Sequence, residues 1–303
     1  MTKLKVGLEI HAYLVTKEKL FCRCKSSRER GLQPNIYICP ICCGMPGAKP
    51  MAPNINAVEK AVQIALLLGC KVNTEMPWMR KHYDWPDLPK GYQNTMSGPH
   101  AVPLGVNGKF ENIRIESMHI EEDPAAWDPK TGAVDYNRSG LPLVEIVTAP
   151  EFKTADEVYI WVNKLVHALS YLKAVDTNAG VKADVNVSLT EDDCKQKTER
   201  VEIKNITSID AMKSAILFEF ERQSKEGSVR ETRRFDEAKG VTMRMRGKEQ
   251  ADDYRFIVDP DLRSVILSEK FILEQKKLVP ELPSVKLDKL IKKYKISPRD
   301  ADV

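Results

Sequence analysis

The stretch from Val181 to Leu189 alternates almost perfectly between apolar and polar residues. The polar positions are Lys182, Asp184, Asn186 and Ser188. A period of two residues is typical of a β-strand with two different faces. The segment 4–14 has the same pattern and carries Glu9 and His11 on its polar side. These strands predict a sheet with one apolar face and one face rich in polar and charged side chains.

The remaining pattern consists of grouped strands separated by a few long helices. Further strands are predicted at 112–122, 141–148, 200–205 and 229–258. Helices are predicted from Asn56 (as an Asn cap) to Gly69, after the capping box Thr154–Glu157, from Ser208 to about Ser224, and again from about Leu287. This grouping predicts an α+β fold: a mostly antiparallel sheet with helices on one face and a working surface on the other.

The composition is that of an ordinary globular protein. The 303 residues are 42% apolar and 30% charged, and the net charge is +4. Acids and bases are interspersed, so the composition gives no general nucleic-acid signal but permits a local basic patch. The chain has no apolar run of membrane-spanning length and no signal-peptide core at its start. We therefore expect a cytoplasmic protein whose seven cysteines have a role other than disulfides.

Paired cysteines occur in an irregular segment at about 20–50. They are Cys22-x-Cys24 and Cys39-x-x-Cys42, with Cys43 next to the last of them. Two short thiolate pairs match a closed, tetrahedral and therefore structural zinc site. The alternative is a set of unrelated small core residues. The spacing leaves open whether Cys42 or Cys43 is the fourth ligand.

Acidic side chains recur on the polar faces of the predicted strands. Glu9 and His11 share the polar face of the first strand, and Asp184 lies on that of 181–189. On 201–205, Glu202 and Lys204 lie opposite the apolar Val201 and Ile203. Such a face could supply the oxygen ligands of two Mg²⁺ ions. The alternative is a solvated sheet face.

Glu145 is the acid that a solvated face does not explain, because it interrupts the apolar run 143–147. An ionised carboxylate there is costly unless it meets a cation or a donor. The segment 118–123 adds three consecutive acids, and its apolar period slips near Ser117, which predicts a bulge. The spacing leaves open whether Glu121 or Glu122 points to the site.

The loop from Arg80 to Tyr92 interleaves basic, aromatic and turn residues. Such a loop could hold a phosphate or a terminal nucleotide base, or it could be packed by its own aromatic side chains. The chain contains no GxxxxGK[ST], GxGxxG or GxSxG motif, so it has no P-loop, dinucleotide fingerprint or hydrolase elbow.

Ten or more short motifs occur in one order along the chain. Among them are Gly7-Leu-Glu-Ile-His11, Gly44-Met-Pro-Gly47, Pro86-Asp-Leu-Pro-Lys-Gly-Tyr-Gln93, Glu121-Glu-Asp123, Asp135-Tyr-Asn-Arg138, Pro142-Leu-Val-Glu-Ile-Val-Thr148, Asp184-Val-Asn186, Glu202-Ile-Lys-Asn205 and Asp253-Tyr-Arg255. Together with the cysteine pairs, they make the chain resemble, over almost its whole length, the kinase/transamidase subunit family of the aspartyl/glutamyl-tRNA(Asn/Gln) amidotransferases.

The resemblance implies an α+β cradle similar to the catalytic domain of glutamine synthetase and guanidino kinases. It also implies a reaction in which ATP phosphorylates the side-chain carboxylate of Glu or Asp misacylated on tRNA. Ammonia then replaces the phosphate, giving Gln-tRNA(Gln) or Asn-tRNA(Asn). A separate amidase subunit supplies the ammonia from glutamine, and a small third subunit wraps both. The sequence does not distinguish Glu-tRNA(Gln) from Asp-tRNA(Asn) as substrate.

Site residues carried over from the family fall into three sets. The Mg²⁺ ligands are Glu9, His11, Glu122 and Glu145, supported by Glu121 and Asp184. The residues assigned to ATP phosphates are Lys204, with Asn186 and Glu202 on neighbouring positions. The substrate-side residues are Lys81, Tyr83 and Lys90.

The predicted domain limits are 1–283 for the cradle, with the zinc segment inserted, and 284–303 for the start of a helical domain. Ser297-Pro298 and Asp300 indicate a further helix, and the family's C-terminal helical and tail domains would follow Val303. Two other functions are weighed: an amide ligase for a small free acid, and a zinc-knuckle RNA-binding protein without catalysis.

Overall fold

The computed structural model describes residues 2–29, 31–176, 180–191, 196–247, 254–295 and 297. Twelve strands form one large sheet. They are β1 (Lys3–Tyr13), β2 (Lys71–Val72), β4 (Met79–His82), β5 (Tyr92–Thr95), β6 (Gly105–Phe110), β7 (Ile113–Glu122), β10 (Pro142–Thr148), β11 (Lys182–Thr190), β12 (Val201–Ile206), β13 (Glu231–Asp236), β14 (Val241–Gly247) and β15 (Ile257–Val258). Two small ladders pair β3 (Glu75–Met76) with β16 (Val265–Ile266), and β8 (Ala126–Trp127) with β9 (Val134–Asp135).

The order across the large sheet is β14-β13-β12-β11-β1-β10-β7-β5-β4-β15, and β6 pairs with both β7 and β2. Among the described pairings only β12 and β13 run parallel, and the helix between them supplies the crossover that a parallel pair needs. The predicted α+β class with a mostly antiparallel sheet is therefore confirmed. The bulge predicted near Ser117 is present, since Val147 pairs with Ser117 and Thr148 with Ile115.

Five helices occur in the described residues: α1 (Ile55–Leu67), α2 (Ala155–Leu172), α3 (Ile209–Glu226), α4 (Glu269–Leu278) and α5 (Pro283–Tyr294). The Thr154 cap of α2 and the Ser208 cap of α3 are as predicted. For α1 the predicted cap is wrong, because the capping oxygen belongs to Asn54 and accepts from the backbone N–H of Asn56. Helix α4 was not predicted, and α5 begins at Pro283 rather than near Leu287.

Helices α1, α2 and α3 cover the apolar face of the sheet. The core side of β1 (Leu4, Val6, Leu8, Ile10 and Ala12) is buried there, as its alternation predicted. In α2, Trp161 packs edge-on against Phe110 and Phe152, and its indole N–H donates to the Phe110 carbonyl at 3.0 Å. The opposite face of the central strands is thereby left for polar side chains.

The C-terminal helix α5 contacts α2 through a hydrogen bond from Lys286 to the Tyr171 hydroxyl. The domain boundary at 283 stays a prediction. The helix indicated by Ser297, Pro298 and Asp300 falls on residues 298–303, which lie outside the described residues. None of the described helices combines the length and apolarity that crossing a bilayer requires.

Candidate active site

Strand pairing places His11, Glu145 and His119 side by side on the polar face. His11 on β1 is the direct partner of Glu145 on β10, which is the direct partner of His119 on β7. The Glu145 Oε2 atom lies 3.1 Å from His11 Nε2 and 3.5 Å from His119 Nε2. Glu121, two residues beyond His119 on the same face, lies 3.3 Å from His119 Nε2 through its Oε1. The ligand atoms of His11, Glu121 and Glu145 all lie within 4.8 Å of one another.

These groups shift one another's proton affinity. Burial alone would raise the pKa of Glu145, but the charges and hydrogen bonds of His119 and His11 lower it well below its ordinary value. Burial would also lower the pKa of both imidazoles, yet the neighbouring carboxylates raise it to about 9 at His11 and about 10 at His119. Positive charge is therefore held at this place between the carboxylates, either by protons or by a cation.

A second group of acidic side chains is centred on Glu9, which precedes His11 by two residues on β1. Glu9, Asp184 and Glu202 also have ligand oxygens within 4.8 Å of one another. Lys204 Nζ lies 3.0 Å from Asp184 Oδ2 and 2.9 Å from Glu202 Oε1. Asn186 donates to Glu9 Oε1 at 2.9 Å. The side chains of this group come from β1, β11 and β12 and are packed together rather than solvated, which removes the alternative of an ordinary exposed face.

The second group carries excess negative charge. Burial raises the pKa of Glu9, and the charges of Glu145, Glu202 and Asp184 raise it further. The carboxylates of Asp184 and Glu202 raise the pKa of Lys204 against the effect of burial. Glu9 and His11 are two residues apart on one strand face, about 7 Å, so the two groups are adjacent and act on each other.

The donor set of both groups suits a hard divalent cation. Mg²⁺ prefers carboxylate oxygens and keeps several positions for water or phosphate. Two side-chain atoms on this face, His119 Nδ1 and Asn186 Oδ1, are buried without a hydrogen-bond partner among the described residues. Each of these atoms needs a hydrogen-bond partner from a water or a ligand. This need is consistent with a site that binds a ligand.

Glu122 does not belong to either group, which corrects the expectation that it shares this face. It accepts hydrogen bonds from Lys90 Nζ and from the backbone N–H of Asn94. Neighbouring residues on a strand point to opposite faces, and Glu121 occupies the site. Of the two acids, Glu121 is the one whose ligand oxygen lies near those of His11 and Glu145, and its role as a metal ligand stays a prediction.

The three predicted substrate-side residues do not lie together: two contact Tyr254, and the third contacts Glu122. Lys81 lies over the Tyr254 ring at 4.7 Å, and its charge is one of those that lower the pKa of Glu121. Tyr83 contacts the same ring edge-on, at 6.1 Å between centroids. Lys90 is bonded to Glu122 and Asn94 away from the metal-ligand groups. Lys81 and Tyr83 thus share the Tyr254 ring, whereas Lys90 contacts Glu122, and a substrate role for any of the three stays a prediction.

The four predicted zinc ligands converge beside this sheet. The Sγ atoms of Cys22, Cys24, Cys39 and Cys42 lie within 4.8 Å of one another. Cys42 Sγ is 3.8 Å from that of Cys39 and 4.0 Å from that of Cys24. A tetrahedron with Zn–S bonds of about 2.3 Å has S–S edges of about 3.8 Å. The spacing of the sulfurs therefore fits zinc, and Cys43 is not part of the group.

A family model described as the GatB/GatE catalytic domain matches residues 4–273. The chain belongs to this family. It is similar to the B subunit of the aspartyl/glutamyl-tRNA(Asn/Gln) amidotransferase of Methanocaldococcus jannaschii, with 43% identity over 99% of this chain and 64% of the relative. The corresponding proteins of Methanothermobacter thermautotrophicus and Methanopyrus kandleri are 42% and 43% identical, over 99% and 98% of this chain. The chain spans just under two thirds of the length of these relatives, 64%, 66% and 63%.

Sequence reasoning missed one central residue of this GatB/GatE catalytic domain. His119 was not among the predicted site residues, yet it contacts both Glu121 and Glu145. The available signal was the spacing His119-x-Glu121, which places both side chains on one strand face in the same way as Glu9-x-His11. His119 orients the two carboxylates rather than joining the set of three ligand atoms.

Proposed function

We propose that this GatB/GatE catalytic domain activates the side-chain carboxylate of Glu or Asp misacylated on tRNA with ATP and amidates it. The observation that carries the proposal is the pair of adjacent ligand groups on one sheet face, His11/Glu121/Glu145 and Glu9/Asp184/Glu202. Phosphoryl transfer depends mainly on positioning and on compensating charge, and two neighbouring hard-ligand groups provide both. The products are Gln-tRNA(Gln) or Asn-tRNA(Asn), and both substrates fit the proposal.

The two ligand groups are proposed to hold Mg²⁺. When bound, Mg²⁺ would offset the charge between nucleotide phosphates and the substrate carboxylate. His119 holds Glu121 and Glu145 in position by contacting both. Lys204 holds Asp184 and Glu202 and places a cation next to them, where a phosphate oxygen could be contacted. Asn186 orients Glu9 in the same group.

Zinc is proposed at the four cysteines as a structural ion. A site with four thiolate ligands has no open position for a substrate. A hydrogen bond with Cys22, aided by the nearby Lys19 charge and opposed by burial, lowers the pKa of Cys42 to about 4. The same hydrogen bond raises the pKa of Cys22, and a bound zinc ion would take both sulfurs as thiolates. A zinc ion here would tie the segment around 20–50 into one unit.

The source of ammonia and the partner subunits are proposed from the names of the similar proteins. Those proteins are named as the B subunit of an amidotransferase, which makes each of them one component of an assembly. The chemistry proposed for this face needs no nucleophile that releases ammonia from glutamine. We therefore assign ammonia supply to a separate amidase subunit, with a small third subunit completing the complex. The similarity in architecture to glutamine synthetase and guanidino kinases is part of the same proposal.

The test is Glu145→Gln, which keeps the shape of the side chain and removes its charge. In the assembled complex, tRNA-dependent ATP hydrolysis and amide formation should fall by about 100-fold or more, because a charged element that balances the transition state is lost. Glutamine hydrolysis by the amidase subunit should persist, and added ammonia should not restore amide formation. The matched control is Glu75→Gln, an exposed carboxylate on β3.

Each alternative function predicts a different result in these assays. ATP-dependent amidation of a small free acid without tRNA would indicate an amide ligase. Near-normal tRNA-dependent ATP hydrolysis in Glu145→Gln would contradict the proposal and indicate a structural carboxylate. Tight RNA binding without any ATP hydrolysis in the unaltered complex would indicate a zinc-knuckle RNA-binding protein.

A further inference from the structure

Three cations cluster around one carboxylate next to the first ligand group. Arg28 and Arg138 contact Asp123, which is buried beyond the end of β7, and Lys182 is near enough for the Asp123 charge to raise its pKa. Asp123 Oδ2 lies 3.4 Å from Arg138 Nε and 4.0 Å from Arg28 Nη1. The same oxygen accepts the Tyr13 hydroxyl hydrogen bond at 2.6 Å. Asp123 is therefore shared between two guanidinium groups and the Tyr13 hydroxyl, and among the residues that the structure describes no carboxylate is left to pair with Lys182 alone.

Arg28 has hydrogen-bonding capacity that the described residues do not use. Its guanidinium lies over the Tyr13 ring at 3.4 Å. Its Nη1 atom is buried and has no hydrogen-bond partner among the described residues. A buried guanidinium N–H without an acceptor is costly unless a ligand supplies one.

Lys182 is placed on the working face rather than at its margin. It pairs directly with His11 across β1 and β11, in the same row as Glu145. Burial lowers the pKa of Lys182, Asp123 raises it, and the charges of Arg138 and Arg28 lower it further, so the three cations are close enough to repel one another. Within the described part of the chain, the Lys182 ammonium has neither an ion pair nor a hydrogen bond.

We infer that Arg28, Arg138 and Lys182 form a binding site for a phosphate group of a substrate, beside the His11/Glu121/Glu145 group. This inference rests on the proposed function, and it locates the binding site for a phosphate of one of the two substrates. Two guanidinium groups and an ammonium near one carboxylate are the kinds of donor that bind a phosphate best. Arg138 is fixed for this task, because it also donates to the carbonyls of Pro124 and Ala125. The phosphate belongs either to the nucleotide or to the acceptor end of the tRNA.

The first experiment measures the binding of inorganic tripolyphosphate to the assembled complex without Mg²⁺, by calorimetry. Lys182→Gln and Arg28→Gln should each weaken binding by about tenfold or more, because each loses a charged hydrogen bond. Lys71→Gln, the same exchange at an exposed position on β2, is the control and should bind as the unaltered protein does. Lys182→Gln breaks no described contact, so its unfolding midpoint should be unchanged. Equal affinity in both site variants and the control would overturn the inference.

The second experiment identifies the source of the phosphate. Binding of ATP and of misacylated tRNA is measured separately for the unaltered complex and for Lys182→Gln. Weaker ATP binding alone assigns the site to the nucleotide, and weaker tRNA binding alone assigns it to the acceptor end. If neither substrate binds more weakly, the site holds no substrate phosphate and the inference is wrong. Failure of the proposed function would appear differently, as absent tRNA-dependent amidation in the unaltered complex.

Discussion

At the scale of single residues, the geometry distinguishes neighbours that have the same chemistry. Glu121 and Glu122 are adjacent carboxylates, but only Glu121 reaches His119 and the ligand group. Cys42 and Cys43 are adjacent thiols, but only Cys42 lies among the other three sulfurs. In both pairs the backbone direction, rather than the residue type, decides which side chain belongs to the site.

The cysteine pair allows a matched test. Cys42→Ser should lose most of the bound zinc and lower the unfolding midpoint, because a hydroxyl is a poor ligand for zinc and metal binding is coupled to folding. Cys43→Ser should keep one zinc ion per chain and stay close to the unaltered midpoint. Elemental analysis and thermal unfolding of both variants give the answer. If Cys43→Ser loses zinc and Cys42→Ser does not, Cys43 is the fourth ligand and the assignment of Cys42 is wrong. If the unaltered protein contains no zinc, the proposed zinc site does not exist.

At the scale of elements, the cysteine segment is docked onto the loop that leads to the substrate side. Gly44, two residues after Cys42, has a positive φ of 66°, and a Cβ atom there would lie 2.2 Å from the Pro89 carbonyl oxygen. Gly47 has a positive φ of 85°, yet a Cβ atom there would meet nothing within 4 Å. The two glycines share a backbone conformation and differ in their surroundings.

This difference predicts unequal effects of alanine. Both Gly44→Ala and Gly47→Ala force a side chain into the left-handed region. Gly44→Ala must also displace backbone near Pro89, which should cost about 1–3 kcal/mol more of the free energy of unfolding, as overpacking typically does. Urea unfolding of the two variants measures the difference. Equal losses would show that the cysteine segment and the Pro89 loop are not rigidly docked.

At the scale of the whole molecule, the working face joins five neighbouring strands through charged side chains. The ligand groups combine residues from β1, β7, β10, β11 and β12, which are distant in sequence. Without a cation, their carboxylates repel one another: burial raises the pKa of Glu9 most, and the charges of Glu145, Glu202 and Asp184 raise it further. A divalent ion that binds only the folded chain would relieve that repulsion and stabilise the entire sheet.

Magnesium should therefore raise the stability of the chain in a saturable way. At about 100 times its dissociation constant the gain should be about 2.7 kcal/mol for one site. Glu9→Gln should be more stable than the unaltered chain without Mg²⁺, because one of the repelling charges is removed, and should gain less from Mg²⁺. Thermal unfolding in MgCl₂ is compared with NaCl of equal ionic strength. Identical midpoints in the two salts would contradict the Mg²⁺ assignment.

The sequence by itself determined the faces of individual strands and the starts of helices α2 and α3. Alternation at 4–14 and 181–189 and the caps at Thr154 and Ser208 are local signals, which need no knowledge of the neighbours. Glu145 was also recognisable, because a carboxylate in an apolar run needs a partner wherever it lies. Helix α4 was missed because only Gln275 in it is fully buried, so its apolar pattern is weak.

Only the tertiary structure decided which polar side chains meet. The row of Lys182, His11, Glu145 and His119 depends on the register of four strands, and a shift of one residue in any of them would turn its side chain to the other face. The placement of Glu122 and His119 follows from that register, whereas the cation cluster around Asp123 also depends on the loops that carry Arg28 and Arg138. Register is set by contacts between residues far apart in the chain, so the period of a single strand does not contain it.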